Sequence, residues 1–466
     1  MAGARRMRSG IRWSALALAW GLAAAGPAAA GTAELTVQRP PQQTFEGFGF
    51  SFEPNNPYAT LSEAQKAEVD QLLFTDLNTR IVRLWYAIGD PKLLRDDYLA
   101  RGIIPRALAN GVTEVLVAQG AGYLGDPDVH ARQIADDIAV MRDEYGIGIT
   151  ATGVLNEPSG EGRSFIPPSH YVPLAIAMRR ELEARGLSDV TILGPEWPNA
   201  DRGARQWLDA VESDPVALAS FDALSTHSYN MAATPEFSKR AQSHGKQYWM
   251  TEAGAPIQDG SAEFDYAFGA SVSSRFLNDL NNGVTHWVWF IGLSHTNRDV
   301  WQKLVMCEGL CDGTQRIYKN YAYHHVQQIT SSFLPGTSMR HVTSDLPGWE
   351  HMTWTYGPKP PLHAAAGVRS DGRWALAVVN DTQGDVRTHA SWDPPEDYTI
   401  TFNVLGLAEV PRLVFDLCRT NVRVAKQCGE TIELINGRAT FDVASLELIT
   451  LVARTPPAEP APSTQR

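Results

Sequence analysis

The sequence predicts an α/β protein in which a (β/α)8 TIM barrel is followed by an all-β sandwich. Between Phe45 and about Phe333, short apolar runs alternate with amphipathic stretches, the pattern of βα units repeated around a parallel sheet. After Pro335, helical periodicity stops, and short apolar runs are separated by Gly, Pro, Asn and Asp, as in a sandwich. A chain of 466 residues is also longer than one core usually supports, so two domains are expected.

Eight apolar runs are predicted to form the barrel, since they are spaced by segments with helical periodicity. Three of those segments are Ser62–Phe74, which Ser62 suits as an N-cap, His130–Tyr145 and Tyr171–Arg185. The predicted barrel strands, called strands one to eight below, are Thr44–Phe50, Arg80–Trp85, Val112–Ala118, Thr150–Leu155, Val190–Leu193, Ala223–Ser228, Gln247–Thr251 and Thr285–Ile291.

The segment Glu34–Val37 precedes the first barrel strand, so we assign it to the sandwich, with the barrel inserted between its pieces. The expected domains are a signal peptide over 1–30, a sandwich strand within 31–44, the barrel over 45–333, the sandwich over 334–454 and a disordered tail over 455–466. The sandwich strands are predicted at Trp374–Val379, Tyr398–Val404, Thr431–Leu434 and Leu446–Val452. Such a domain either binds carbohydrate or supports the barrel, and support is the simpler interpretation.

The first thirty residues are typical of a signal peptide. Arginines at positions 5, 6, 8 and 12 precede an apolar run from Trp13 to Ala25, and the small residues Ala28–Ala30 follow. That run is shorter than the roughly 20 residues that cross a membrane, and no later segment is continuously apolar for that length. We therefore expect a secreted protein, extracellular or periplasmic, without a membrane span.

The chain is acidic, and removal of the leader, which holds four Arg and no acids, takes its formal charge from −12 to −16. Such a surface disfavours nucleic acid as a partner. It suits a neutral or cationic ligand, although solubility outside the cell explains it equally well. The oligomeric state is left open.

The four cysteines form two local pairs, Cys307 with Cys311 and Cys418 with Cys428. In an oxidising compartment each pair is expected to close a short surface loop as a disulfide bond. A zinc site is the alternative, but the pairs are distant in sequence and lack both a CxxC spacing and nearby histidines at ligand spacing.

Two glutamates follow barrel strands at the end where TIM barrels carry their reacting groups. Strand four runs into Asn156-Glu157-Pro158, and strand seven runs into Glu252, with Gly254 close behind. A single Glu after a strand is usually a solvated loop residue, but these two lie three strands apart and should face each other across the barrel mouth. A glycosidase needs one carboxylic acid to protonate the leaving oxygen and, if it retains configuration, a carboxylate nucleophile about 5 to 5.5 Å away. Glu157 and Glu252 suit these two roles.

Three residues at other strand ends are expected to support this pair. An inward Arg83 on strand two would keep Glu252 ionised, although an ordinary salt bridge within the barrel is its alternative. Strand six ends in His227-Ser-Tyr229, where alternation puts His227 and Tyr229 on one face, and the Tyr hydroxyl would donate to Glu252. His227 is also expected to contact the substrate, although a histidine satisfied by the core explains the pattern as well.

Sugar contacts are predicted from three further positions. On strand eight, Trp287 and Trp289 share a face, and Trp289, nearer the rim, is the better floor for a pyranose, while Trp287 suits core packing. Asn156 is placed to bind a sugar hydroxyl beside the anomeric carbon. Glu53, in the loop after strand one, would bind hydroxyls of the same sugar, or it is simply an exposed loop acid.

These residues together resemble the clan A glycoside hydrolases, through Asn156-Glu157-Pro158, Thr251-Glu252, His227-x-Tyr229 and Arg83. Within that clan, the Phe45-Glu-Gly-Phe-Gly opening, the helix after Leu61-Ser62 and the trailing sandwich are similar to glycoside hydrolase family 30. The resemblance covers nearly all of the chain after the leader.

The resemblance implies that Glu157 is the acid/base and Glu252 the nucleophile, with Asn156, Arg83, Tyr229, Trp289 and Glu53 in the first sugar subsite. Two departures concern sugar contacts and so leave the substrate open. Strand three leads into Gln119-Gly-Ala-Gly-Tyr123 where the family presents a Trp- and Pro-rich loop, and strand eight has its Trp residues two apart where three are expected.

The predicted function is retaining hydrolysis of a β-linked oligo- or polysaccharide, with no metal and no organic cofactor. A carbohydrate-binding barrel without turnover is the first alternative, and the presence of both carboxylates argues against it. A metal-dependent hydrolase is the second, but no dense cluster of metal ligands stands at a strand end in the sequence.

Overall fold

A computed structural model describes residues 30–54, 56–120, 122–159, 165–229, 234–254, 262–295, 303–308, 311, 313–349, 360–382 and 394–457, apart from the side chains of 262–265. The predicted signal peptide, except residue 30, and the tail from residue 458 lie outside this part of the chain. Within it, no helix is long and apolar enough to cross a membrane.

Eight parallel strands close into a barrel, because strand eight pairs with strand one through Gly47 and His286. Each predicted strand overlaps one observed strand, so the TIM-barrel prediction is confirmed. The observed strands one to eight are Gly47–Phe52, Thr79–Tyr86, Glu114–Gln119, Ala151–Gly153, Thr191–Trp197, Ala223–Ser228, Gln247–Ala253 and His286–Trp289. Strand five runs four residues beyond its predicted end at Leu193, and this extension matters for the site below.

Helices surround the barrel, and the three predicted ones are present with ends shifted by a few residues. Ser62 caps its helix as expected, since its hydroxyl accepts from the backbone of Gln65 and the Gln65 side chain accepts from the backbone of Ser62. The described helices are Glu63–Asp70, Ile103–Ala109, Pro127–Asp143, Pro168–Ala184, Arg205–Glu212, Pro215–Ser220, Thr234–Ser243, Ala262–Asn281 and Tyr321–Ser332, and short 3-10 or π turns lie at Pro57–Thr60, Gln71–Thr75, Leu94–Leu99, Arg202–Ala204 and Leu405–Leu407.

The second body is a largely antiparallel sheet whose inner face encloses a core of its own, as in a sandwich. Its early strand, Gly31–Phe45, pairs with Thr337–Ser344 and, in parallel, with Tyr398–Val404. The N-terminal segment therefore belongs to this sheet, with the barrel strands between it and the rest. In spatial order the strands are Gln427–Leu434, Leu413–Thr420, Glu447–Ala453, Trp374–Asn380, Leu362–Val368, Thr337–Ser344, Gly31–Phe45, Tyr398–Val404 and Arg438–Val443.

The outer face of this sheet is packed against the barrel. Ala365, Ala377 and Leu448 belong to the same apolar cluster as the barrel helices. The amide of Gln328, on a barrel helix, donates to the backbone oxygens of Cys418 at 2.9 Å and Leu448 at 3.2 Å. This continuous apolar contact supports the interpretation of the sandwich as a buttress.

Both cysteine pairs are disulfide-bonded. Cys418–Cys428 joins neighbouring strands of the second sheet. Cys307 and Cys311 are buried rather than at the surface, where a small sheet of Leu293–His295, Val305–Cys307 and Ile317–Lys319 follows strand eight.

One buried acid ties the late barrel strands together. Asp279, on the helix Ala262–Asn281, accepts hydrogen bonds from the hydroxyl of Ser228 and the indole nitrogen of Trp287, each at 2.8 Å. Burial raises the pKa of Asp279 to about 6, although these hydrogen bonds oppose the rise.

The raised pKa of Asp279 predicts a specific pH dependence of stability. Because the folded pKa is above that of the unfolded chain, the contribution of Asp279 is fully present below about pH 4 and is lost as the pH rises through 6. Asp279→Asn removes this titration. Between pH 4 and 7, the free energy of unfolding of the wild type should fall by about 3 kcal/mol relative to that of the variant. Urea unfolding at a series of pH values measures it, and a constant difference would contradict the assignment.

Candidate active site at the carboxyl ends of the barrel strands

The two predicted glutamates lie opposite each other at the barrel mouth. Glu157 follows strand four, and Glu252 lies near the end of strand seven. One carboxylate oxygen of each, together with a ring nitrogen of His227, falls in a group whose atoms are all within 4.8 Å of one another. The side chain of Glu157 is 15% exposed and that of Glu252 is 6% exposed. The two carboxyl groups are therefore close together but differ in their access to solvent.

Arg83 is the buried cation of the site. One guanidinium nitrogen makes a short hydrogen-bonded ion pair with Glu252, and the other donates to the Asn156 side-chain oxygen at 2.7 Å. The guanidinium also lies over the ring of Trp85, 4.5 Å from its centre. The contact between Arg83 and Glu252 expected from the sequence is present, and Arg83 links strand seven with strand four.

Tyr229 is the second donor to Glu252, at 2.5 Å from its hydroxyl to the carboxylate. Gly254 makes room for it, because a Cβ at that position would lie 2.4 Å from the Tyr229 ring. The glycine is thus required by the close approach of a tyrosine.

The pKa of Glu252 is lowered by the groups around it. Burial alone would raise it, but the charges of His227 and Arg83 and the hydrogen bonds from Tyr229 and Arg83 outweigh burial. Glu252 is therefore held as a carboxylate.

His227 bridges the two acids. Its Nδ1 is 3.0 Å from an oxygen of Glu157 and 4.0 Å from an oxygen of Glu252, and the ring is fully buried. Burial works to lower the pKa of His227, but the two carboxylates outweigh it and the pKa is raised. His227 thus lies against the carboxylates, and its predicted contact with a sugar stays a prediction.

A metal ion is the competing occupant of the Glu157, His227 and Glu252 group, since among the described residues these three offer ligand atoms close together. The charges argue against it. Arg83 already pairs with Glu252, and a buried guanidinium in that position would repel a divalent cation. The donor set therefore fits two carboxylates served by an arginine better than a metal centre.

The remaining predicted sugar contacts are in the same region but differ in accessibility. Trp287 and Trp289 are both fully buried and stack with ring centres 5.7 Å apart. Trp289 thus belongs to a packed aromatic layer in this structure, and its place under a sugar stays a prediction. Glu53 is partly buried after strand one, and its backbone oxygen accepts from Asn56 at 3.0 Å.

Glu196 is a residue of the site that the sequence did not reveal. It lies on the extension of strand five, is fully buried, and approaches Arg83 to 3.8 Å. The predicted strand ended at Leu193, directly before Gly194-Pro195, a pair that seldom continues a strand. The available signal was the carboxyl side chain that follows this pair directly, three residues past the predicted strand end.

No family model matches the chain. A curated relative, the glucuronoxylanase XynC of Bacillus subtilis, is 26% identical over 166 residues, or 34% of this chain. The match spans about a third of that relative, 37% of its length.

Solved structures match almost the whole chain. The family 30 subfamily 8 xylanase Xyn30A from Clostridium acetobutylicum is 15% identical, with a TM-score of 0.64 over 91% of this chain and 99% of that one. The chain has the fold of family 30 glycoside hydrolases. SrfJ from Salmonella typhimurium, also 15% identical, gives 0.65 over 92% and 93% of the two chains. For the endo-β-1,6-glucanase BT3312 the values are 15%, 0.63, 90% and 94%. The resemblance to family 30 is therefore confirmed at the level of the fold.

Removal of the Tyr229 hydroxyl tests how the site holds its charge. Tyr229→Phe deletes a hydrogen bond to the ionised form of Glu252, so the pKa of Glu252 should rise. NMR titration of protein labelled with ¹³C at the glutamate carboxyl carbon measures it, with Glu252→Gln assigning the signal. The control is Tyr248→Phe, on the same strand as Glu252, because the hydroxyl of Tyr248 contacts Thr226 and not Glu252. Equal titration of Glu252 in both variants would refute the assignment.

Proposed function

We propose that the protein is a glycoside hydrolase that cleaves β-linked glycans with retention of configuration. The observation that carries the proposal is the closeness of Glu157 and Glu252, since one carboxylate oxygen of each lies within 4.8 Å of the other. Retaining enzymes hold their carboxyl groups about 5 to 5.5 Å apart, whereas inverting enzymes need about 6.5 to 9.5 Å to admit a water molecule. The spacing favours direct attack by one carboxylate.

Glu252 is the nucleophile in this proposal. Its lowered pKa and its bonds to Arg83 and Tyr229 keep it ionised and aimed. It attacks the anomeric carbon and forms a covalent glycosyl ester while the bond to the leaving oxygen breaks.

Glu157 is the acid/base, because it is the more exposed acid and can reach both the leaving group and water. It gives its proton to the departing oxygen. It then takes a proton from the water that cleaves the ester, so that Glu252 is released as a carboxylate. His227, 3.0 Å from Glu157, orients that side chain.

The first sugar subsite is proposed around these two acids. Asn156, fixed by Arg83, would bind the hydroxyl next to the anomeric carbon. Tyr229 and Glu53 would complete the subsite, and Trp289, which is fully buried in this structure, would have to be uncovered before it could contact a sugar. No step of this chemistry calls for a metal or an organic cofactor.

The substrate is proposed to be a neutral polysaccharide outside the cell. The predicted leader and the two disulfide bonds support export. The curated relative is a glucuronoxylanase, so xylo-oligosaccharides belong in the first panel, beside glucosides and galactosides.

Covalent labelling tests the nucleophile and the sugar together. Wild type, Glu252→Gln and Glu447→Gln are incubated with activated 2-fluoro β-glycosides of xylobiose, glucose and galactose, and their intact masses are measured. One reagent should add its glycosyl mass to wild type and to the Glu447 control, a buried acid of the second sheet, but not to Glu252→Gln. Labelling of Glu252→Gln would overturn the assignment. Saturable binding of glycans by wild type without labelling or turnover would favour the carbohydrate-binding alternative.

Azide rescue tests the acid/base. Glu157→Ala should slow the release of a poor leaving group by about 100-fold or more, since protonation contributes on this scale. Added azide should restore turnover on an activated glycoside by attacking the ester and giving a β-glycosyl azide, because no general base is then needed. The product anomer is read by NMR. If Glu157→Ala keeps the activity of the wild type on the poor leaving group and azide has no effect, Glu157 does not act on the leaving group.

A further inference from the structure

Glu196 contacts both halves of the candidate site. Its backbone oxygen accepts from the backbone nitrogen of Glu157 at 3.1 Å. Its carboxylate lies 3.8 Å from the Arg83 nitrogen that binds Asn156. One residue on strand five is thus connected to the proposed acid/base through the main chain and to the proposed nucleophile through Arg83.

The backbone at this junction is held in an unusual conformation. Glu157 and Glu196 both have positive φ angles, 50° and 51°, a region that non-glycine residues seldom occupy. The hydrogen bond between them joins two such residues on adjacent strands. The direction in which Glu157 leaves strand four therefore depends on the backbone at Glu196.

The side chain of Glu196 occupies a space that is free because residue 153 is a glycine. A Cβ on Gly153, on strand four, would lie 1.5 Å from a Glu196 carboxylate oxygen. Burial raises the pKa of Glu196, which Arg83 and His227 oppose. A fully buried carboxyl group is costly to keep, and no step of the proposed chemistry uses it directly.

We propose that Glu196 is a positioning residue that sets the relative placement of Glu157 and Glu252. Its carboxyl group lies beside the Arg83 nitrogen that does not bind Glu252 and restrains the guanidinium, so that Arg83 presents one nitrogen to Glu252 and the other to Asn156. Its backbone oxygen, which accepts from the Glu157 nitrogen, fixes the position of the Glu157 main chain. This inference rests on the proposed function for its catalytic consequence, but the arrangement around Arg83 can be tested without any substrate.

The test compares Glu196→Ala and Glu196→Gln with the buried control Glu447→Gln. The activated 2-fluoro glycoside that labels wild type is used to measure both the labelled fraction and the rate constant of labelling. Glu196→Ala should keep a labelled fraction close to wild type and lose about 10- to 100-fold in rate constant, because small misplacements of reacting groups cost rates on this scale. Glu196→Gln, which fills the same space, should lose about 3- to 10-fold, and the control nothing.

A purely structural role gives the opposite pattern, with a smaller labelled fraction and an unchanged rate constant, and would overturn the proposal. If Glu196→Ala does not fold, Glu196→Gln decides, and a wild-type rate constant there also overturns it.

The substrate-free measurement is hydrogen exchange of the Arg83 guanidinium protons in ¹⁵N-arginine-labelled protein, assigned with Arg83→Lys. Exchange should be about tenfold faster in Glu196→Ala than in wild type, and Glu196→Gln replaces that variant if it does not fold. The same exchange rate in variant and wild type would refute the role of Glu196. If the wild type is not labelled by any reagent, only the proposed function fails, because this exchange still reports on Glu196.

Discussion

A single buried guanidinium, that of Arg83, determines how the carboxyl ends of the barrel strands are arranged. It is fully buried, and it contacts Glu252 from strand seven, Asn156 after strand four and Glu196 from strand five. Burial of a charge is tolerated only where it is paired and hydrogen-bonded. The need to satisfy Arg83 therefore draws groups from three strands toward one point, and the closed barrel supplies those strands at the required spacing.

Around this cation the two candidate carboxyl groups acquire different surroundings. Glu252 is buried and receives donors from Arg83 and Tyr229, whereas Glu157 is more exposed and is contacted by His227. A pair of acids whose environments differ in this way can divide the work of nucleophile and proton donor. The fold of family 30 enzymes can hold such a pair at the barrel mouth. The division of roles between the two acids depends on their side-chain contacts and not on the fold.

The sequence was sufficient to predict the barrel, the second sheet, its N-terminal strand and the contact between Arg83 and Glu252. Apolar runs at regular spacing locate strands, and the carboxyl-end rule then brings residues distant in sequence together. It was insufficient for Glu196, because Gly194-Pro195 hid the end of strand five. It also could not show that Trp289 is covered, since alternation gives the face of a strand and not what packs over it. The reason for Gly254 likewise became clear only from its approach to Tyr229.

The short spacing of Glu157 and Glu252 implies a covalent intermediate, and the stereochemistry of the first product decides whether one forms. Proton NMR during the first turnovers of a β-linked substrate shows which anomer forms before mutarotation. The β-anomer should appear first, because two displacements at one carbon restore its configuration. First appearance of the α-anomer would mean a single displacement by water, and would contradict both the covalent ester and the role given to Glu252.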